Sequence, residues 1–124
     1  MDQQNTINLD QLMDQYMALW NEPDVELRRR RIARLWVEDG AQIIRSREFH
    51  GYQELEERIT GAYETFVKTQ GCIFKLSSEI DAHHNAVKFN WDMVPATGGA
   101  ALGTGLIFLL LAADGRIRHD YQFQ

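Results

Sequence analysis

The chain has 124 residues, a formal net charge of −5, and hydrophobic and charged fractions of 44% and 25%. This length and composition are typical of one globular domain and exclude a disordered chain. The acidic charge disfavours nucleic acid as a partner, because binding it requires a basic surface. Cys72 is the single cysteine, so no intrachain disulfide forms and a cytoplasmic location is expected. No apolar run approaches the roughly 18 residues of a spanning helix, so no membrane association is expected.

The first residues are polar and precede a helical pattern. Residues 1–7 are expected to be disordered or extended, followed by a single domain over residues 8–124. Apolar side chains then recur at intervals of three and four, which predicts a first helix. Asn8 and Gln11 have the spacing of a capping box at its start.

A second helix follows closely. Pro23 suits its first turn, and its apolar positions continue to about Val37. The four arginines at 28–31 are interpreted as a solvated helix face rather than an anion site. Residues 41–44 are β-branched and predict a short strand, followed by a loop.

The second half of the chain changes from helical to strand periodicity. A third helix carries Tyr63 and Phe66, and Gly71 is expected to end it in the left-handed conformation. Alternation then predicts four strands, at residues 73–80, 86–94, 100–113 and 117–123.

This element order predicts an α+β fold with the helices on one face of a curved antiparallel sheet. Residues 106–111 are apolar at every position, and such a strand is normally covered on both faces. Because the helices cover only one face, we expect a homodimer through the convex face of the sheet.

Four short segments resemble the SnoaL-like branch of the nuclear transport factor 2-like, or cystatin-like, superfamily. They are YMALWNEPD at 16–24, LWVED at 35–39, FHG at 49–51 and DGRI at 114–117. The resemblance implies a cone-shaped barrel in which a strongly curved sheet and three helices enclose a pocket for a small apolar molecule. Relatives include ketosteroid isomerases, limonene epoxide hydrolases and polyketide cyclases.

The resemblance also implies where catalytic groups would lie. Tyr16 falls where ketosteroid isomerases carry a hydrogen-bonding tyrosine, but their two carboxyl positions fall on Ile44 and Ile107, which cannot move a proton. The aspartate of SnoaL-type cyclases would fall beyond Gln124.

Limonene epoxide hydrolases use an arginine and two aspartates, whose positions here are Asn90, Asp92 and Gln122. Only Asp92 keeps its chemistry. If its face of the strand lines the pocket, Asp92 is the best general base, with Tyr16 as hydrogen-bond donor. If that face meets water, Asp92 is a surface charge, and both alternatives are open.

The remaining expectations concern the pocket and its use. Its other lining residues are predicted to be Trp20, Ile44, Tyr63, Asn90, Ile107, Asp120 and Gln122. No metal is expected, because the adjacent histidines at 83 and 84 should not converge, and no cofactor is expected. Three functions stay open: an acid/base lyase, isomerase or hydrolase, a non-catalytic small-molecule binding protein, and a dimeric association module.

Overall fold

A computed structural model describes residues 6–124, which form three α-helices and seven strands. The helices are α1 (Leu9–Leu19), α2 (Val25–Leu35) and α3 (Gly51–Ala62), and α3 continues as a π-helical segment, Tyr63–Thr69. The strands are β1 (Trp36–Ile44), β2 (Arg47–His50), β3 (Cys72–Leu76), β4 (Asp81–His83), β5 (Ala86–Pro95), β6 (Gly103–Leu111) and β7 (Ile117–Phe123). The predicted α+β order is therefore observed, with β2 and β4 added where a loop and a turn were expected.

Capping residues fix the starts of the first two helices. Asn8 and Gln11 exchange side-chain to backbone hydrogen bonds of 2.9 and 3.1 Å, which is the predicted capping box. In α2 the cap is Asp24, whose carboxylate accepts two backbone N–H groups of the first turn. Pro23 therefore precedes the cap instead of lying in the first turn. The helix ends at Leu35, earlier than predicted, because β1 begins at the next residue.

The arginine run of α2 is not uniformly solvated, which corrects the sequence-based interpretation. Arg28 is only 3% exposed. Its guanidinium lies 4.8 Å from the centre of the Tyr63 ring and donates a 2.6 Å hydrogen bond to the backbone oxygen of Glu22. Arg31 pairs with the Glu22 carboxylate at 2.8 Å. The contact with Tyr63 attaches the start of α2 to the third helix, and the two contacts with Glu22 attach α2 to the connection that precedes it.

The strands form one sheet in the order β2-β1-β7-β6-β5-β3, and β4 also pairs with β5. All neighbouring strands are antiparallel except β1 and β7, which run parallel. The sheet is therefore mixed, whereas the sequence predicted an antiparallel sheet. A parallel neighbour needs a long crossover connection, and here most of the chain separates the two strands.

A β-bulge in β7 decides which side chains of that strand face the helices. Leu111 pairs with Ile117 and Leu110 pairs with His119, so Arg118 is an extra residue on β7. Ile117 and Asp120 are both completely buried although they are three residues apart. A regular strand would have placed them on opposite faces.

The inner face of the sheet packs against the helices and forms the core. In β6, Ile107 and Leu109 are buried on this face. Leu106, Phe108 and Leu110 alternate with them and are half-buried on the outer face. The apolar run at 106–111 therefore supplies both faces of the sheet.

The start of the described chain also belongs to the core. Ile7 is buried, and its N–H donates a 2.9 Å hydrogen bond to the backbone oxygen of Asp114. Ile7, which had been assigned to the disordered or extended terminal segment, is thus packed in the core, while residues 1–5 of that segment lie outside the described residues. None of the helices described has both the length and the apolar composition needed to cross a bilayer.

Candidate functional site

A cavity of about 400 Å³ lies between the inner face of the sheet and helices α1 and α3. Most of its lining is apolar, and the aromatic part consists of Tyr16, Trp20, Phe66, Phe74 and Trp91. The aliphatic side chains Met17, Ile44, Met93 and Ile107 complete this wall, and the exposed residues Arg45, Ser46, Leu102 and Gln124 mark its open end. Such a lining suits a small, mostly apolar molecule.

The cavity wall contains a tyrosine bonded to a buried carboxyl group. The Tyr16 hydroxyl donates a 2.7 Å hydrogen bond to Oδ2 of Asp120. Tyr16 lies on α1 and Asp120 on β7, where the bulge turns it inward. Asp120 is 0% exposed and is not itself part of the cavity wall. Asp120 is therefore connected to the cavity by its hydrogen bond with Tyr16, which does line the wall.

Two further side chains extend this pair into a network. The Gln42 amide is 0% exposed and donates a 3.2 Å hydrogen bond to Oδ2 of Asp120. Its carbonyl oxygen accepts a 2.9 Å hydrogen bond from Nε of Arg58, which reaches the cavity from α3. Oδ1 of Asp120 has no hydrogen-bond partner among the described residues. The amide thus links the arginine to the carboxyl group.

Burial dominates the proton affinity of these groups. It raises the pKa of Asp120 to about 7, because the charged form loses its hydration, and the bonds from Tyr16 and Gln42 offset only part of this effect. Burial and the neighbouring Asp120 also raise the pKa of Tyr16 well above its ordinary value. Near neutral pH, Tyr16 is therefore a neutral phenol, while Asp120 is present both with and without its proton.

The residues singled out from the sequence divide into three groups. Tyr16, Trp20, Ile44, Ile107 and Gln122 line the cavity. Asp120 lies directly behind Tyr16. Asp92, Asn90 and Tyr63 do not reach the cavity wall.

Asp92 and Asn90 lie on the outer face of the sheet, because Trp91 and Met93 occupy the inner face of β5 and line the cavity. The Asn90 side chain donates a 3.3 Å hydrogen bond to the backbone oxygen of Gly105. Of the two alternatives left open for Asp92, the structure supports a surface charge, and it removes the basis for Asp92 as the general base. Plain alternation along the strand decides the outcome.

Tyr63 was expected at the cavity and instead lies beneath the Arg28 guanidinium. The inward positions of the third helix are Arg58, Ala62 and Phe66, which are spaced four residues apart. A sequence signal for Arg58 exists, because it lies between Leu55 and Ala62 on the apolar stripe of the helix. A charged residue on such a stripe is the usual mark of a buried functional or paired group.

The two histidines of the β4–β5 hairpin do meet, which corrects the expectation that they would not. The Nδ1 atoms of His83 and His84 are 3.1 Å apart, and His84 has a positive φ of 53°. Both side chains are exposed. Within residues 6–124, no group of three or more histidine, cysteine, aspartate or glutamate side chains is arranged to hold a metal ion.

Comparison with protein-family models and with curated proteins gives no match. Solved structures do match. A protein from Agrobacterium tumefaciens, provisionally named an isomerase of the SnoaL-like family, is 28% identical with a TM-score of 0.80, over 90% of this chain and 92% of its own.

Two more distant structures match at lower identity. A nuclear transport factor 2-like protein of unknown function from an Exiguobacterium species is 16% identical, with a TM-score of 0.69 over 90% of this chain and 96% of its own. A protein from Catenulispora acidiphila with a ketosteroid isomerase-like fold, in complex with trimethylamine, is 8% identical, with a TM-score of 0.68 over 94% of this chain and 87% of its own. The chain therefore has the SnoaL-like, nuclear transport factor 2-like fold.

Proposed function

We propose that this protein binds a small, largely apolar molecule in the cavity and transfers a proton to or from it through Tyr16 and Asp120. The observation that carries the proposal is the 2.7 Å hydrogen bond between the cavity-lining hydroxyl and the fully buried carboxyl group. A carboxyl group whose pKa lies near 7 is suited to general acid and base catalysis at neutral pH.

The pair has two proton states with different uses. When Asp120 is ionised, Tyr16 donates to it, and the hydroxyl oxygen of Tyr16 can accept a proton from the ligand while its own proton passes to Asp120. When Asp120 is protonated, its O–H donates to Tyr16, and the tyrosine O–H donates to the ligand. Tyr16 is thus the contacting group, and Asp120 stores the proton.

These two states together support a reaction in which one proton leaves one atom of the substrate and another returns elsewhere on it. An isomerisation of this kind balances without a co-reactant, because the pair returns one proton to the substrate for each proton that it takes up. The provisional name of the Agrobacterium relative, an isomerase, is in keeping with this reaction class. Asp120 takes the base role that the sequence had assigned to Asp92.

A non-catalytic binding protein is the second candidate. The observation that favours it is that Asp120 meets the cavity only through Tyr16, inside an otherwise apolar wall. The relative from Catenulispora acidiphila, which shares the fold, is in complex with a small molecule, trimethylamine. A binding protein would keep the same cavity and leave the ligand unchanged.

Deuterium exchange distinguishes the two candidates. Small aromatic ketones and other carbonyl compounds that raise the melting temperature of the protein would be incubated with it in D₂O and followed by proton NMR. Catalysis predicts deuterium at the acidic carbon with wild type, and at least a hundredfold slower exchange with Tyr16→Phe and Asp120→Asn. Both variants should bind the ligand within a few-fold of wild type. Exchange at the same rate in all three proteins would exclude the pair as the proton carrier.

We also propose that the protein is a cytoplasmic homodimer. The apolar side chains Leu106, Phe108 and Leu110 lie side by side on the outer face of β6, and the Phe108 ring lies 6.4 Å from that of Tyr121 on β7. A second copy related by two-fold symmetry would cover this patch. If the cavity has no ligand, this surface is the remaining candidate for function, as an association module.

A further inference from the structure

Arg58 brings a positive charge to the cavity, and its position is defined by three contacts. Its guanidinium carbon lies 5.5 Å from the centre of the Trp20 ring and 5.8 Å from that of Phe49. Its Nε donates to the Gln42 carbonyl oxygen at 2.9 Å. Two aromatic rings and one amide therefore hold the guanidinium at the cavity wall, which reduces the entropy lost when it binds a ligand.

This charge has no carboxylate within 4.0 Å among the residues that the structure describes. Asp120 is linked to Arg58 through the neutral Gln42 amide rather than by an ion pair. Burial lowers the pKa of Arg58 from its ordinary value, yet an arginine side chain stays protonated in proteins. The charge of Asp120 acts on Arg58 only across this amide, so the lost hydration of the half-buried cation is incompletely compensated, and a bound anion would offset more of that cost.

No negatively charged side chain is among the described residues that line the cavity. Its lining includes two arginines, Arg58 inside and Arg45 at the open end, and no aspartate or glutamate. The chain as a whole carries a net charge of −5. The charged side chains of the wall are thus both positive in a protein that is acidic overall, which favours an anion at that position.

We propose that the ligand of this cavity is an aromatic or other compact apolar molecule with one carboxylate group, and that the carboxylate binds to the guanidinium of Arg58. The inference rests on the proposed function, because it requires that the cavity binds a small molecule. It adds the chemical class of that molecule. An arginine fork matches a carboxylate with two parallel hydrogen bonds, and the surrounding Trp20, Phe66 and Phe74 cover an aromatic body.

Matched acid and amide ligands test the assignment. Titration calorimetry at pH 7.5 would compare benzoate, cinnamate and 2-naphthoate with benzamide, cinnamamide and 2-naphthamide, which have similar shapes and no charge. At least one acid is expected to bind ten times or more tighter than its amide. Arg58→Gln should abolish this preference by weakening the acid at least tenfold, with the amide within threefold of wild type.

Two further variants keep the result interpretable. Arg30→Gln removes the same charge from an exposed site on α2 that does not line the cavity, and it should keep the full preference. Arg58→Lys keeps the charge and loses the fork, so it should retain part of the preference; it also serves if Arg58→Gln fails to fold.

The wild-type comparison needs no variant and separates the two claims. Equal binding of acids and amides would overturn the carboxylate assignment and leave a cavity that binds small molecules. No binding of either series would overturn the assignment together with the proposed function of the cavity. If Arg58→Gln still binds the acids more tightly than the amides, the carboxylate binds to a group other than Arg58.

Discussion

A buried carboxyl group such as Asp120 couples folding to proton binding. Burial raises its pKa from 3.8 to about 7, so the folded protein holds this proton over a pH range in which the unfolded chain has released it. The free energy of unfolding should therefore fall as the pH rises from 4 to 7. A shift of this size corresponds to roughly 4 kcal/mol over the whole range. The contribution is fully present below pH 4 and lost above pH 7.

Urea denaturation between pH 4 and pH 8 measures this contribution. Asp120→Asn cannot ionise, and the decrease in stability across this window should be smaller than in wild type by a few kcal/mol. Asp81→Asn, an exposed carboxylate on β4, serves as the control and should follow wild type. Equal pH dependence in wild type and Asp120→Asn would mean that Asp120 is not protonated in the folded protein at neutral pH.

Individual residues of the site differ in how well the sequence predicted their positions. Tyr16, Ile107 and Gln122 were assigned to the pocket by resemblance, and they line the cavity. Asp92 could not be assigned to a face, because alternation defines two faces of a strand without saying which one meets the helices. Arg58 was not among the predicted site residues, although it lies on the apolar stripe of α3.

At the scale of elements, the pairing of β5 with β6 shapes the cavity wall. Trp91 lies opposite Gly105, and a Cβ atom at Gly105 would come within 2.6 to 2.8 Å of the Trp91 indole. Gly105→Ala should displace this ring, destabilise the protein by about 1–3 kcal/mol and weaken ligand binding. Urea denaturation and calorimetry would measure the two effects.

The same strand offers a matched control for this substitution. A Cβ atom at Gly103 would meet only the end of the Met93 side chain, at an ordinary distance of 3.6 Å. Gly103→Ala should therefore keep the stability of wild type within about 1 kcal/mol. If the two alanine variants behave alike, close packing of Trp91 against Gly105 does not shape the cavity.

Most elements were predictable because they depend on local signals. The capping box at Asn8 and the left-handed Gly71 follow from neighbouring residues, and both were identified. The parallel pairing of β1 with β7 and the bulge at Arg118 were not, because they depend on contacts between distant parts of the chain. That bulge is what turns Asp120 toward Tyr16, so the central pair of the site could not be derived from periodicity.

At the scale of the whole molecule, the outer face of the sheet makes a prediction about assembly. Sedimentation at micromolar concentration should give about twice the chain mass of 14.4 kDa. Phe108→Lys places a charge in the proposed interface and should yield monomers, whereas Glu64→Lys, on the exposed side of the third helix, should remain dimeric. A wild-type monomer would remove the proposed dimer.

The proton-transfer pair and the cavity are tested together by a carbon-13 NMR titration of the Asp120 carboxyl group, with Asp120→Asn to assign its signal. We expect a midpoint near pH 7 in the free protein. The midpoint should be higher when a carboxylate ligand is bound, because a second negative charge near Tyr16 and Arg58 disfavours ionisation of Asp120. A midpoint near pH 4 that does not change with ligand would contradict a buried proton-transfer pair at this cavity.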